Sequence, residues 1–204
     1  VIGPVTFWMG NVLTDALVHV FDVAPWLGGL LYGTFYAPLV ITGMHHTFLA
    51  VDLQLIGTTG GTFLWPILAL SNIAQGSAAM AMMLLAANQK EKGLALASGV
   101  SAYLGITEPA IFGVNLRFKF PFFIAMGFAG LAGMLIAIQG VTASSIGVGG
   151  VPGIFSIVPG DWGAFFVGML VVLIGPLLGT YLYAKARHLE ETPEQAAELE
   201  AAVA

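Results

Sequence analysis

The sequence predicts an all-α, polytopic integral membrane protein whose chain reverses once inside the bilayer. Three observations carry this. Hydrophobic residues make up 58% of the 204 residues before the 27 glycines are counted, against about 45–50% in soluble domains with glycine included. Charged residues fall to 8%, where about 25% is usual. No charged side chain occurs between Asp52 and Lys90, between Lys119 and Asp161, or between Asp161 and Lys185, and each window exceeds the roughly 20 residues that cross a bilayer. A soluble enzyme is excluded. The six Lys/Arg stand as three pairs, Lys90 with Lys92, Arg117 with Lys119 and Lys185 with Arg187, which leaves no basic surface for nucleic acid.

Val1 to Gly10 is apolar, with no initiating Met, basic n-region or cleavage site, so no signal peptide is expected; the chain reads as a fragment that starts inside a membrane domain. Val1 to Val20 has the length of a span, and Asp15 and His19 share one of its faces. Trp26 to Met44 is a second apolar segment, interrupted by Gly43-Met-His-His-Thr47. A third, Phe63 to Ala87, ends at the charged turn Gln89-Lys-Glu-Lys92. Gly93 to Leu116 is flanked by basic pairs and broken centrally at Gly105-Ile-Thr-Glu-Pro109. Basic flanks face the cytoplasm, so this segment enters and leaves on one side as a re-entrant hairpin with the break at its tip. Phe120 to Val141 then crosses outward, Thr142 to Gly160 connects, and Trp162 to Ala184 returns. Trp162, Tyr181 and Tyr183 read either as interfacial aromatic anchors or as packing residues. Beyond Arg187 an Ala/Glu stretch reads as a solvated acidic tail or the beginning of a linker. The expected division is a membrane-embedded, substrate-binding half over 1–187 and an acidic cytoplasmic tail or linker over 188–204.

Glu108 is the strongest single signal. A carboxylate inside an apolar segment costs several kcal/mol unless it is protonated, paired or in contact with water or substrate. Gly105 and Pro109 bracket it, so freed backbone groups there must line a cavity, and a neutral polyol satisfies both. The structural alternative is a pair with Arg117 or a helix end. His45 and His46 point in different directions, so one binds and the other supports, or both are held by backbone carbonyls in a packed loop. A His and a Glu are too few for a metal site, and none is expected. Asp15 with His19 reads as a buried pair, with a proton relay as the alternative; Asp52 is placed to orient a histidine or to serve packing. Ser71, Asn72, Gln75 and Ser77 act as helix-packing glue or as a cavity wall, with Asn72 and Gln75 the better cavity members.

Three stretches resemble the sugar-translocating EIIC domain of the bacterial phosphoenolpyruvate-dependent sugar phosphotransferase system, in its glucose/glucoside branch: Gly43-Met-His-His46, Ala69 to Gly76, and Ala102 to Pro121 with its Gly-Ile-Thr-Glu-Pro motif. With Gly147 to Ser156 added, the wording is most similar to the trehalose-specific subgroup, then to sucrose and β-glucoside permeases. The resemblance runs from about Trp8 to Tyr183 and implies the C-terminal half of a domain of transmembrane helices plus re-entrant hairpins. It implies sugar contacts from Glu108 and from His45 or His46; Thr107, Asn72 and Gln75 complete the expected substrate-binding set. It further implies a disaccharide substrate, phosphorylation by an EIIB domain whose phosphocysteine is the donor, no cofactor, a homodimer formed through the other half, and residence in the bacterial inner membrane. With no cysteine in the chain, this fragment alone cannot phosphorylate sugar.

Two other classes stay open at this point. An ion-coupled secondary transporter would use Asp15, His19 and Glu108 as a relay, and a purely structural membrane subunit would need no such acid as Glu108.

Overall fold

The computed structural model describes residues 18–187. Asp15, and with it the Asp15–His19 pair, most of the expected first span and the acidic tail lie outside the described residues. After a helical stretch at 18–23, the chain forms α1 (Pro25–Ile41), α2 (His45–Thr59), α3 (Leu64–Leu85), α4 (Gln89–Tyr103), a short α5 (Glu108–Ala110) that widens into a π-turn (Ile111–Asn115) and resumes as α6 (Leu116–Phe118), then α7 (Phe120–Ile138) and α8 (Trp162–Ala186). Among the described residues there is no strand, only isolated bridges joining Thr62 to Ala143 and Ala143 to Ile157. Three helices are long and apolar enough to cross a membrane: α3, α7, and α8 with the turn before it. This is the architecture of a polytopic helical membrane protein.

α3 is the central helix. Nearly its whole length is buried, including Ser71, Asn72, Gln75 and Ser77. Its polar side chains therefore meet protein instead of lipid, as intramembrane polar groups require. Ser77 Oγ lies 3.1 Å from the Tyr103 hydroxyl on α4. On the other side, α1 and α7 approach closely at small residues, because lipid offers no competing hydrophobic drive and contact must come from backbone proximity. A Cβ added at Gly33 would stand 3.0 Å from the Ala129 carbonyl carbon and 3.1 Å from Gly130 Cα. Gly33→Leu is therefore expected to force α1 away from α7 and lower stability by about 1–3 kcal/mol, as overpacking does. Thermal unfolding of the detergent-solubilised protein measures it, and an unchanged midpoint would show that this contact is not made.

The chain reversal between the basic pairs is present. Asn88 caps α4 by accepting from the Lys90 N–H at 2.7 Å, and the two legs, α4 and α5–α6, meet again at their bases, where Arg117 Nη1 pairs with Glu91 Oε1 at 2.6 Å. Both basic pairs thus sit at one end of the hairpin. Gly105, at φ +94°, makes the turn at the tip, since left-handed backbone favours glycine. Trp162 donates its indole N–H to the Ile157 carbonyl at 3.0 Å, Tyr183 stacks on Phe120 and Lys185 lies over Tyr181, so these aromatics make contacts within the protein, with Trp162 and Tyr183 also exposed near span ends.

Candidate functional site

The hairpin tip does not stand alone. The loop between α7 and α8 folds back onto it so closely that a Cβ added at Gly105 would meet the backbone of Gly149 at 2.9 Å, and one at Gly149 would meet Asn72 Nδ2 at 2.5 Å. Asn72 Nδ2 donates to the Gly105 carbonyl at 3.4 Å. Segments far apart in sequence are thereby held within one backbone thickness of each other.

They border an open cavity of about 430 Å³, within the roughly 300–1,000 Å³ range of small-molecule sites. α2 contributes His45, His46 and Leu49; α3 contributes Trp65, Leu68 and Asn72; the tip contributes Leu104, Gly105 and Ile106; the loop contributes Gly147, Val148 and Gly149, and Tyr36 of α1 completes the lining. The His45 and His46 rings stand 4.0 Å apart, with His45 edge-on to Tyr36 at 6.5 Å. His45 is partly buried and His46 exposed. His45 lies outside the three spans. Burial, and then the neighbouring His46, lower its pKa, while the Leu39 backbone and the Glu108 charge pull the other way. Its Nδ1 is buried and lacks a hydrogen-bond partner.

Of the six residues expected to bind, the structure brings three to the cavity wall: His45, His46 and Asn72. Glu108 opens the second leg just beyond the tip and is exposed. It does not line the cavity, although its charge is felt by both Tyr36 and His45. It is not paired with Arg117, which Glu91 has taken. Thr107 is buried beneath the turn. Gln75 follows Asn72 along α3 but lies toward the hairpin base, where Asn115 Nδ2 donates to its carbonyl at 2.9 Å and its Oε1 at 2.8 Å. Its oxygens are committed between helices and not to the cavity, while its Nε2 is buried without a partner. Asp52 does not touch a histidine: its Oδ1 accepts from Thr62 Oγ1 at 2.6 Å. Burial pushes this carboxyl, also outside the three spans, up to about 6 against the opposing pull of the Thr62 hydroxyl.

Tyr36, Trp65, Leu49 and Leu68 enter the site without having been singled out in the sequence, and the Gly147–Gly149 loop stood out there only through its resemblance to one subgroup, not as part of a site. For the helix one signal was available, because Trp65, Leu68 and Asn72 stand at i, i+3 and i+7 and so share a helix face. Aromatic faces beside imidazoles, one amide and exposed glycine backbone suit a neutral, hydroxyl-rich ring, which needs both flat apolar contact and several hydrogen bonds. Among the described residues no group of three or more His, Asp or Glu is placed to hold a metal ion.

A family model described as "Phosphotransferase system, EIIC" matches residues 1–130. The chain is similar to the trehalose-specific EIIBC component of the phosphotransferase system of Bacillus subtilis (strain 168), with 70% identity over 189 residues, 92% of this chain and 40% of that protein. It is 44% identical to the trehalose-specific EIIBC component of Escherichia coli (strain K12), over 92% of this chain and 40% of that protein. The sucrose-specific EIIBC component of Vibrio alginolyticus is 46% identical, over 85% of this chain and 37% of that protein. The chain spans about 40% of the length of the relatives it matches. No solved structure matches it.

Proposed function

We propose, since this chain belongs to the phosphotransferase system EIIC family, that it is the sugar-binding half of a permease that moves a disaccharide across the bacterial inner membrane while an EIIB domain phosphorylates it. Trehalose is the proposed substrate, because the relative with 70% identity is named for it. One observation carries the reading: the Gly-x-His-His and Gly-Ile-Thr-Glu-Pro segments, which begin 62 residues apart at Gly43 and Gly105, converge on one cavity of about 430 Å³ lined by both aromatic and polar groups.

In this reading Tyr36 and Trp65 supply flat faces, Asn72 and the glycine backbone supply hydrogen bonds, and Glu108 accepts from sugar hydroxyls. Phosphorylation requires a sugar hydroxyl oxygen to attack phosphorus, the bond from phosphorus to the EIIB sulfur to break, and the hydroxyl proton to be taken up. The imidazole of His46, the more open of the two, is the proposed acceptor, with His45 holding it in place. The donor is supplied by EIIB, since this chain has no cysteine. The product carries about −1.5 to −2 charges near neutral pH, by analogy with protein phosphates, and does not return through an apolar path. Dimerisation is proposed to use the part of the permease outside this chain.

Uptake of labelled trehalose by membrane vesicles bearing the complete protein tests this. Uptake is expected to require phosphoenolpyruvate and the soluble phosphotransferase components, to survive collapse of the membrane potential, and to fall far more in turnover than in affinity for His46→Ala. Uptake that follows the potential and ignores phosphoenolpyruvate would replace this reading with ion-coupled transport through intramembrane acids.

A further inference from the structure

Thr62 and Asp52 form a junction that the chemistry above leaves unused. Among the described residues Asp52 is the only charged side chain in the buried class, at 0% exposure, and Thr62 is equally enclosed. The Thr62 hydroxyl donates to Asp52 Oδ1 at 2.6 Å and accepts from the Leu64 N–H at 3.1 Å. Its backbone N–H donates to the Ala143 carbonyl at 2.8 Å, and its carbonyl accepts from the Ala143 N–H at 2.8 Å. One residue therefore ties three segments together: α2, the start of α3 and the loop that runs on to Gly147. Each of these is a wall of the cavity.

α2 needs such a tie. Only Phe48, Val51, Asp52 and Leu55 of its 15 residues are buried, and it follows a turn at Gly43 with φ +74°, so little else fixes how it sits. Apolar burial is non-directional and would let the helix roll or slide, whereas a hydrogen bond between two enclosed groups sets both rotation and depth. The register matters. Asp52 and His45 are seven residues apart, close to two helical turns, hence on one face and about 10 Å apart along the axis. Drawing Asp52 inward turns His45 toward the cavity.

We infer that Asp52 is a positioning residue for the sugar site: through Thr62 it fixes α2, and with it His45 and His46, opposite Trp65, Asn72 and the Gly147–Gly149 loop. This rests on the reading of that cavity as the disaccharide site. What Asp52 contributes is an acceptor oxygen in a fixed place, so Asn can replace it and Leu cannot.

Two measurements on the complete protein in nanodiscs test this. The first uses no sugar: spin labels placed through non-canonical residues at the exposed positions Leu53 and Ser145 report the distance between α2 and the loop. A narrow distribution is expected for the parent, Asp52→Asn and Thr62→Ser, and a broadened one for Asp52→Leu and Thr62→Val. The second is calorimetric titration with trehalose. Asp52→Leu and Thr62→Val should each raise Kd about tenfold, the scale of one buried hydrogen bond, and the double variant should be no worse than either single one. Asp52→Asn and Thr62→Ser should stay near the parent value. Narrow distances in every variant, or parent-like affinity in Asp52→Leu and Thr62→Val, would overturn the inference, as would Asp52→Asn behaving like Asp52→Leu. Failure of the parent itself to bind any disaccharide would instead sink the assigned function, with the distance measurement still deciding the role of Asp52. Should Asp52→Leu not accumulate, Thr62→Val against Thr62→Ser makes the same comparison.

Discussion

Glu108→Gln is expected to weaken disaccharide binding by roughly 10- to 150-fold, the equivalent of the 1.5–3 kcal/mol by which a charge-assisted hydrogen bond contributes. The fold should survive. Glu108 is exposed at the first position of α5, and among the described residues its carboxylate makes no hydrogen bond or ion pair, since Arg117 is engaged by Glu91. The substitution thus removes charge without stranding a partner. Calorimetric titration of the complete permease with trehalose gives the affinity, and thermal unfolding without sugar controls for damage. Unchanged affinity would remove Glu108 from the site and leave binding to the histidine, asparagine and aromatic walls.

A second large effect concerns sidedness, which is all or none. Single cysteines at Lys90 and Arg117, in a permease whose other cysteines have been replaced, should both be labelled by an impermeant reagent from the cytoplasmic side alone. Between these positions the chain has the length of one ordinary crossing, but the Arg117–Glu91 ion pair at 2.6 Å requires both ends of the segment to lie together. A cysteine at Ser145 should be reached from outside, because the 19 residues of α7 rise about 28 Å and span the hydrocarbon core once. Labelling of positions 90 and 117 from opposite sides would eliminate the hairpin and the placement of its tip beside the cavity.

The hairpin was legible in the sequence because two independent signals agreed, the basic pairs at 90–92 and 117–119 and the Gly/Pro break between them. The spans were legible because length and hydropathy are one-dimensional properties, and α3, α7 and α8 fall within a few residues of the expected segments. The histidine motif and Asn72 were found as polar groups with no business facing lipid. What pattern alone did not reveal is which distant segments meet. Nothing in Gly147–Gly149 marks a wall of a cavity, since its role is to let backbone approach Gly105 and Asn72. Gln75 and Asn72 have the same chemistry three residues apart, and only the position of Asn115 assigns one to packing and leaves the other at the cavity. Asp52, close behind the histidines in sequence, was open to orienting one of them or to serving packing; Thr62, on the same chain after a glycine turn, is the partner it meets in space.

The π-turn at Ile111–Asn115 gives the second leg of the hairpin a spare residue. A π-turn accommodates one residue more than the α-helical turn it replaces. Losing one residue there would let the leg relax into continuous α-helix with Glu108 and Arg117 still facing the directions they face now, because the surplus is taken up inside a single turn. A deletion elsewhere in the leg, with the π-turn kept, has no such surplus to draw on and would swing Glu108 by about 100° about the leg axis. Length can therefore change inside this turn without re-aiming the tip of the hairpin at a different neighbour.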